Sequence, residues 1–259
     1  MHIVDLEGAR RLGGLRLVLI REIPSPWSEA ARMVFDAKQV TYTAVPHRIG
    51  DEALRAWTGA HNAPVAVYDD RPPLTHWADI LELAEEIAPE PALCPESMGQ
   101  RSIQFALSHQ VLGCRGLVWH SRLLLIDCSL KSGGERGFPL GLARLLAGKY
   151  GYQLGTSESS RAQIGQIFGL LLSHLEASRR EYTRFFFGGE ISALDIHVAT
   201  ALSPFYPPGS ERFVTSDVAR SWFGSAKEQV NVVVPPLLLE HRERVFERVD
   251  QLSRNRRET

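Results

Sequence analysis

Cysteine is scarce in this sequence, and its spacing excludes several kinds of site. The 259 residues contain three cysteines, Cys94, Cys114 and Cys128, which are widely spaced and form no Cys-x-x-Cys pair. A disulfide framework or a structural zinc site needs denser or closer cysteines. The nine histidines show no His-x-x-x-His spacing either, so we predict no metal site. This cysteine usage fits a reducing environment, and we expect a cytoplasmic location.

Long apolar runs and an excess of one charge are also absent. The runs at 15–20 and 232–239 are far shorter than the roughly 20 apolar residues that cross a bilayer. The first residues lack the pattern of a secretory signal. The 29 basic and 30 acidic side chains nearly balance, at a formal net charge of −1. We therefore expect neither a membrane nor a nucleic acid as partner.

The first third of the chain alternates strand and helix signals. The chain can form a sizeable packed hydrophobic core, because 44% of its residues are hydrophobic. A short apolar run, a helical pattern that starts near Ser28 and a second run with β-branched residues give a β-α-β unit. The complete set of predicted elements is strand 15–20, helix 28–37, strand 40–45, helix 52–57, strand 65–68, a turn at 69–73 that a short strand can follow, and helix 77–87.

The rest of the chain reads as helical. A proline-rich stretch at 88–95 ends the preceding helix and indicates a linker. Beyond it, apolar residues recur every three or four positions over 103–130, with a break near Gly113 and Gly116 that predicts a kinked or split helix. Further helices are predicted at 164–182, 193–202 and 237–252. The fold class is therefore α/β followed by all-α.

This layout and four motifs resemble the glutathione S-transferase superfamily. The motifs are Ser-Pro-Trp-Ser at 25–28, like the catalytic turn after the first strand; Ala-Pro-Val at 63–65, like the cis-proline element; 74–83, like the segment that leads into the third helix; and Gly-Gly-Glu-Ile-Ser-Ala-Leu-Asp at 188–195, like the Gly-x-x-x-Ser-x-x-Asp box. The resemblance implies a thioredoxin-like N-terminal domain at 1–88, a linker at 89–100 and a glutathione transferase-type helical bundle at 101–259.

The resemblance also implies a glutathione site. Ser25 and Pro26 form a complete helix start on their own, because serine is favoured at the N-cap and proline at the first helical position. A hydroxyl at a helix N-terminus can also stabilise a thiolate, and the resemblance gives Ser25 this catalytic role. Serine forms no mixed disulfide, which favours transfer, addition or isomerisation over disulfide exchange. The implied glutathione-binding residues are Ser25, Trp27, Ala63, Pro64, His76 and Trp77.

The helical part supplies the second-substrate pocket in this superfamily. By resemblance, Ser108, His109, Trp119 and Arg122 lie on the helix that lines the pocket, although side chains on such a helix can equally serve packing. The pair Ser192 and Asp195 reads as a capping box, a structural feature. A homodimer is a further implication of the resemblance.

One motif departs from the superfamily. Many members have Glu-Ser or Asp-Ser, which hold the γ-glutamyl end of glutathione, where this sequence has His76-Trp77. Three functions therefore stay open. The chain could conjugate or isomerise a small apolar electrophile with glutathione; it could be a binding or scaffold protein for a hydrophobic ligand or partner; or it could be an enzyme on this fold that uses no glutathione.

Overall fold

The computed structural model describes residues 2–20, 25–47, 50–207 and 217–255. Its first part combines four strands with four helices. In chain order these are β1 (His2–Ile3), α1 (Leu6–Arg10), β2 (Leu15–Ile20), α2 (Pro26–Ala37), β3 (Thr43–His47), α3 (Glu52–Thr58), β4 (Val65–Tyr68) and α4 (Trp77–Ile87).

The four strands form one mixed sheet in the order β1-β3-β2-β4. Strand β3 pairs in parallel with β1 and β2, whereas β4 runs antiparallel to β2. Side chains of a strand alternate between its two faces. On β2, Leu17 therefore packs with the apolar side chains of α2 and α4, and Val18 packs on the opposite face with Ala9 of α1 and Leu54 of α3.

The second part consists of helices. They are α5 (Met98–Leu112), α6 (Leu117–Lys131), α7 (Leu140–Tyr150), α8 (Thr156–Arg180), α9 (Ala193–Ala201), α10 (Asp217–Val230) and α11 (Pro236–Asn255). One apolar cluster joins α2 and α4 to α9 and α11, so both parts of the chain share a continuous core. No helix within the described residues combines the length and the apolar character that a bilayer crossing needs.

The predicted break near Gly113 and Gly116 is a complete division into α5 and α6. A Cβ at Gly113 would lie 2.5 Å from the carbonyl oxygen of His109, and one at Gly116 would lie 2.6 Å from that of Gln110. Such distances are too short for non-bonded carbon and oxygen atoms. Glycine is therefore required at both positions by the close approach of the backbone.

The strand predicted at 40–45 is misplaced. The chain leaves α2 through Gln39, which has a φ of 56°, and the Val40 N–H donates to the Phe35 carbonyl at 2.9 Å, so Val40 closes the helix and pairing begins only at Thr43. After the turn at 69–73, Leu74 forms a single antiparallel bridge with Ala66 instead of a strand. The short β1 and the helices α1, α7 and α10 were not predicted.

The proline-rich segment after α4 is held by a buried lysine. Lys38 donates from Nζ to Glu85 Oε1 at 2.8 Å and to the carbonyls of Pro89 and Pro91 at 3.1 and 2.9 Å. Further along, the Ala193 N–H donates to the carbonyl of Leu93 at 2.8 Å. The predicted linker therefore packs on α2, α4 and α9. The domain boundaries themselves stay a prediction.

Candidate active site at the start of helix α2

Ser25 is the N-cap of α2. Its backbone is extended, with φ −114° and ψ 105°, and its Oγ accepts a hydrogen bond from the Ser28 N–H at 3.4 Å. The side chain is buried, and no acceptor for its hydroxyl proton is present in the described part of the chain. Ser28 has a different role, because its Oγ accepts from the Ile20 N–H at 3.3 Å and so ties β2 to α2. Of the two serines, only Ser25 is the N-cap of α2.

Trp27 links this turn to the helical part. Its indole N–H donates to the carbonyl of Leu112, the last residue of α5, at 2.7 Å. Its ring stacks on Tyr150 at the end of α7, with ring centroids 6.2 Å apart. Trp119 of α6 meets the same tyrosine edge-on at 4.8 Å. Three aromatic rings therefore form a continuous wall, which we call the Tyr150 wall, beside the start of α2.

The cis-proline element lies opposite this turn. The Ala63–Pro64 peptide bond is cis, and Pro64 lines a small cavity together with Trp27. Within residues 2–20, 25–47, 50–207 and 217–255, neither the N–H nor the C=O of Ala63 forms a hydrogen bond. Among these residues neither group has a partner, which leaves both able to pair with an extended ligand backbone.

The start of α4 carries the departure from the superfamily motif. His76 is the N-cap, and its Nδ1 accepts from the Ala78 N–H at 3.4 Å. Trp77 is half-buried and packs its ring against Phe105 at 5.7 Å and against His197 at 5.4 Å. Its buried Nε1 has no hydrogen-bond partner among the described residues. An indole thus occupies the place that the resemblance assigns to a small hydroxyl side chain.

The cavity between these elements has a volume of about 30 Å³. One water needs about 10–15 Å³ of such space, so the cavity holds about two waters. It brings together Trp27, Pro64 and Trp77 of the predicted site, whereas Ser25, Ala63 and His76 do not line it. The full set of lining residues is Trp27, Ala30, Ala31, Val34, Pro64, Thr75, Trp77, Ile80 and His197.

His197 is a wall of this cavity that sequence reasoning missed. It lies on α9, is 1% exposed, and its Nδ1 is 2.9 Å from the Ser108 hydroxyl. Burial lowers the pKa of His197 to about 3, against an opposing effect of the Asp195 charge. The imidazole is therefore neutral at physiological pH. Its only signal in the sequence is its position two residues after Asp195, on the helix that the capping box starts.

Because His197 has a lowered pKa, the free energy of unfolding should decrease as the pH is lowered below about 6.5, the pKa of an unfolded histidine. Because the folded pKa is the lower one, the unfolded chain binds an extra proton between roughly pH 6.5 and 3, and folding loses up to about 1.4 kcal/mol per pH unit there. His197→Asn should show a smaller loss, since it can still bond Ser108 but does not titrate. Urea unfolding at pH 7, 6 and 5 measures this difference, and equal slopes for both proteins would contradict it.

The other predicted pocket residues separate into two groups. Trp119 is half-buried in the Tyr150 wall, and Arg122 is buried with its guanidinium 5.2 Å from the centre of the Phe138 ring. Ser108 is fully buried and engaged by His197. His109 is exposed at the end of α5. The structure therefore connects Trp119 to Trp27 through Tyr150, whereas the contact shown for Arg122 is with Phe138.

The capping box at the start of α9 is embedded in a larger buried network. Asp195 accepts from the N–H of Ser192 at 2.7 Å and from that of Phe186 at 3.1 Å. His241 of α11 places Nε2 3.0 Å from the same carboxylate, and both side chains are fully buried. Asp195 thus joins three segments, and His241 is a partner that the sequence did not reveal. Among the described residues, no three His, Cys, Asp or Glu side chains cluster as metal ligands would.

The sequence matches no protein-family model and no curated protein. Solved structures do match. A holo structure of maleyl pyruvate isomerase, a bacterial glutathione S-transferase of the zeta class, is 17% identical, with 87% of this chain and 95% of that chain covered and a TM-score of 0.51. Maleylacetoacetate isomerase from Anaeromyxobacter dehalogenans, with bound dicarboxyethyl glutathione and citrate, is 20% identical, with coverages of 86% and 94% and a TM-score of 0.50.

A third structure, a glutathione S-transferase from Methylobacterium radiotolerans in complex with glutathione sulfonate, is 15% identical, with coverages of 88% and 93% and a TM-score of 0.53. In all three the match extends over most of both chains, so it includes the sheet and the helical part together. The chain therefore has the glutathione S-transferase fold, a thioredoxin-like N-terminal domain followed by a helical C-terminal domain.

Proposed function

We propose that this chain is a glutathione S-transferase-like enzyme that conjugates or isomerises a small apolar electrophile, with Ser25 stabilising the glutathione thiolate. The observation that carries this proposal is the Ser25 hydroxyl, which caps α2 and keeps a proton without an acceptor in the described residues. Two of the similar solved structures contain glutathione derivatives, which supports glutathione as the thiol.

The position of Ser25 suits a thiolate for two reasons. The N-terminus of the 12-residue α2 has a positive dipole end, which favours negative charge. A hydroxyl that donates to a charged sulfur adds a charge-assisted hydrogen bond. When bound, glutathione supplies the thiol nucleophile. Ser25 would lower its pKa from about 8.5 and so raise the thiolate fraction at neutral pH.

The residues fit one part of glutathione better than the other. The free N–H and C=O of Ala63 suit the cysteinyl backbone, which lies next to the sulfur. At the start of α4, however, the His76 side chain already caps the helix by accepting from the Ala78 N–H, and Trp77 has only an indole N–H to donate. Neither is an anion that could hold an ammonium group. We therefore expect weaker glutathione binding than a site with an acidic residue and a serine would give.

A second function is favoured by Trp77. Its ring lines the small cavity together with Pro64 and His197 and occupies part of the space between them. If this ring excludes the γ-glutamyl end altogether, the chain is a binding or scaffold protein for a hydrophobic ligand, or an enzyme that uses no glutathione.

Calorimetric titration with glutathione separates the two functions. The wild-type protein should bind glutathione with a dissociation constant in the micromolar to low millimolar range, about −8 to −4 kcal/mol. The double variant His76→Glu/Trp77→Ser should bind about 10-fold more tightly, because an anion and a hydroxyl gain charge-assisted bonds. Trp57→Ser, which removes an indole on the opposite face of the sheet, is the matched control and should leave the affinity unchanged.

The alternatives have distinct outcomes. Binding by the double variant alone would favour the second function. An absence of heat for both proteins up to roughly 10 mM, weaker than about −2.7 kcal/mol, would rule out glutathione. The homodimer and the cytoplasmic location stay predictions.

A further inference from the structure

The cavity beside the cis-proline has an uncharged wall. None of the described residues that line it is Asp, Glu, Lys or Arg. His197, the one titratable side chain among them, is neutral because burial lowers its pKa to about 3. Asp79, the acidic residue in the first turn of α4, is exposed and does not line the cavity. The cavity therefore suits a neutral group and offers no charged partner to an ammonium or a carboxylate.

The same wall is largely apolar. Its aliphatic part comes from Ala30, Ala31, Val34 and Ile80. Trp77 adds its ring, and the polar atom of that ring, Nε1, is buried. The volume of about 30 Å³ is the space of about two waters. It admits a group about as large as an acetyl group, but not the methylenes, ammonium and carboxylate of a γ-glutamyl end.

Backbone pairing with Ala63 directs one end of a cysteinyl thiol to this cavity. A ligand residue that bonds both the N–H and the C=O of one protein residue lies directly opposite it in an antiparallel pair. The ligand chain then runs from its carboxyl end to its amino end as the protein runs from Ala63 to Pro64. The group on the cysteinyl nitrogen therefore lies on the side of Pro64, which lines the cavity.

The cavity adjoins both the protein surface and the turn of the proposed thiol site. Thr75, which lines it, is exposed, and Ala63 is half-buried. Trp27, two residues after Ser25, forms part of its wall. A ligand that lies across Ala63 can thus place a small group in the cavity while the rest of it stays at the surface.

We propose that the cavity between Pro64, Trp77 and His197 binds the small neutral acyl group of an N-acylcysteine thiol, so that this chain selects thiols with a short N-acyl group over glutathione. Trp77 is the residue that sets this selectivity, because its ring occupies the space that a longer acyl group needs. The inference rests on the proposed function for the use of a thiol, but binding of the acyl group requires no reaction.

The test is calorimetric titration of the full chain with three reduced thiols that differ only in the group on the cysteinyl nitrogen. N-acetylcysteinylglycine should bind about 3- to 10-fold more tightly than glutathione, the difference that burial of about one or two methyl-sized groups makes. Cysteinylglycine should bind at least about 10-fold more weakly than the acetylated dipeptide, since it lacks the acyl group and brings an ammonium beside an uncharged wall.

Trp77→Leu enlarges the cavity and should remove the preference. The shorter side chain leaves room for the γ-glutamyl methylenes, so the ratio of the dissociation constants of glutathione and N-acetylcysteinylglycine should fall to about 1 to 2. A ratio measured within one protein does not depend on the fraction that is folded. Trp57→Leu, on the opposite face of the sheet, is the matched control and should keep the wild-type ratio. If Trp77→Leu does not fold, the wild-type series alone decides the inference.

Each contrary outcome identifies the statement that fails. Wild-type binding of glutathione as tight as that of N-acetylcysteinylglycine, or tighter, would overturn the inference and leave the proposed function standing. A wild-type ratio that persists in Trp77→Leu would overturn the assignment of selectivity to Trp77. No binding of any of the three thiols up to roughly 10 mM would overturn both the inference and the proposed function. Selective binding of a thiol that still titrates near its usual pKa of about 8.5 would support the acyl cavity and defeat the proposed role of Ser25.

Discussion

Replacing Ser25 with glycine is expected to lower the rate of glutathione conjugation at pH 6.5 by about 10- to 100-fold. Loss of a hydrogen bond to a charged group costs about 1.5 to 3 kcal/mol, equivalent to about one to two units in the thiol pKa. Glycine is the informative replacement, because it costs an N-cap only a few tenths of a kcal/mol. Initial rates with chlorodinitrobenzene as a generic electrophile measure the effect.

The pH dependence separates chemistry from folding. At pH 9 the thiol of free glutathione is itself largely ionised, so the defect of Ser25→Gly should shrink there. Ser25→Thr keeps a hydroxyl and should retain most of the rate. Ser28→Ala removes the other serine of the turn, whose hydroxyl accepts a structural hydrogen bond from the Ile20 N–H. It should lower the free energy of unfolding but leave the pH dependence of the rate unchanged. A defect of equal size at both pH values would argue against thiolate stabilisation by Ser25.

Replacing Asp195 with alanine should produce the largest loss of stability, about 3 to 5 kcal/mol. The change leaves the N–H groups of Ser192 and Phe186 without their buried acceptor, and it removes the carboxylate that lies 3.0 Å from Nε2 of the buried His241. The measurement is the free energy of unfolding in urea, with circular dichroism of the helices as the signal.

The stability loss of Asp195→Ala can be compared with that of two milder variants. Ser192→Ala removes only the hydroxyl half of the capping box and should cost about 1 kcal/mol. Glu190→Ala breaks an ion pair with Arg248 in which the glutamate is 75% exposed, so it should change stability by less than about 1 kcal/mol. A loss for Asp195→Ala no larger than that for Glu190→Ala would show that the buried network contributes little.

The fold could be predicted well where a pattern is local. Apolar periodicity gave strand 15–20 and helix 77–87 with the bounds that the structure has. Apolar periodicity failed to predict elements whose position depends on tertiary contacts. Helix α7 begins at Leu140 after Pro139, without a side-chain cap, and contains Gly141 and Gly148, which weaken a helical pattern. The residues at 40–42 have strand propensity, yet the turn at the end of α2 uses Val40.

The candidate site shows the same limit. Ser25 and Pro64 were recognisable because their turn residues are close together in sequence and similar to known motifs. His197 and Tyr150 were not, since each reaches the site from a helix remote in sequence, and only packing brings them to Trp77 and Trp27.

The central claim is that Ser25 at the start of α2 stabilises a glutathione thiolate. The most direct test is the ultraviolet absorbance of the thiolate in the wild-type complex, followed as the pH is raised from 5 to 10. The account predicts a pKa near 6 to 7 for the bound thiol, about two units below the usual value of about 8.5, and a return toward that value in Ser25→Gly. A bound thiol that titrates at about 8.5 or higher in the wild-type protein would contradict it.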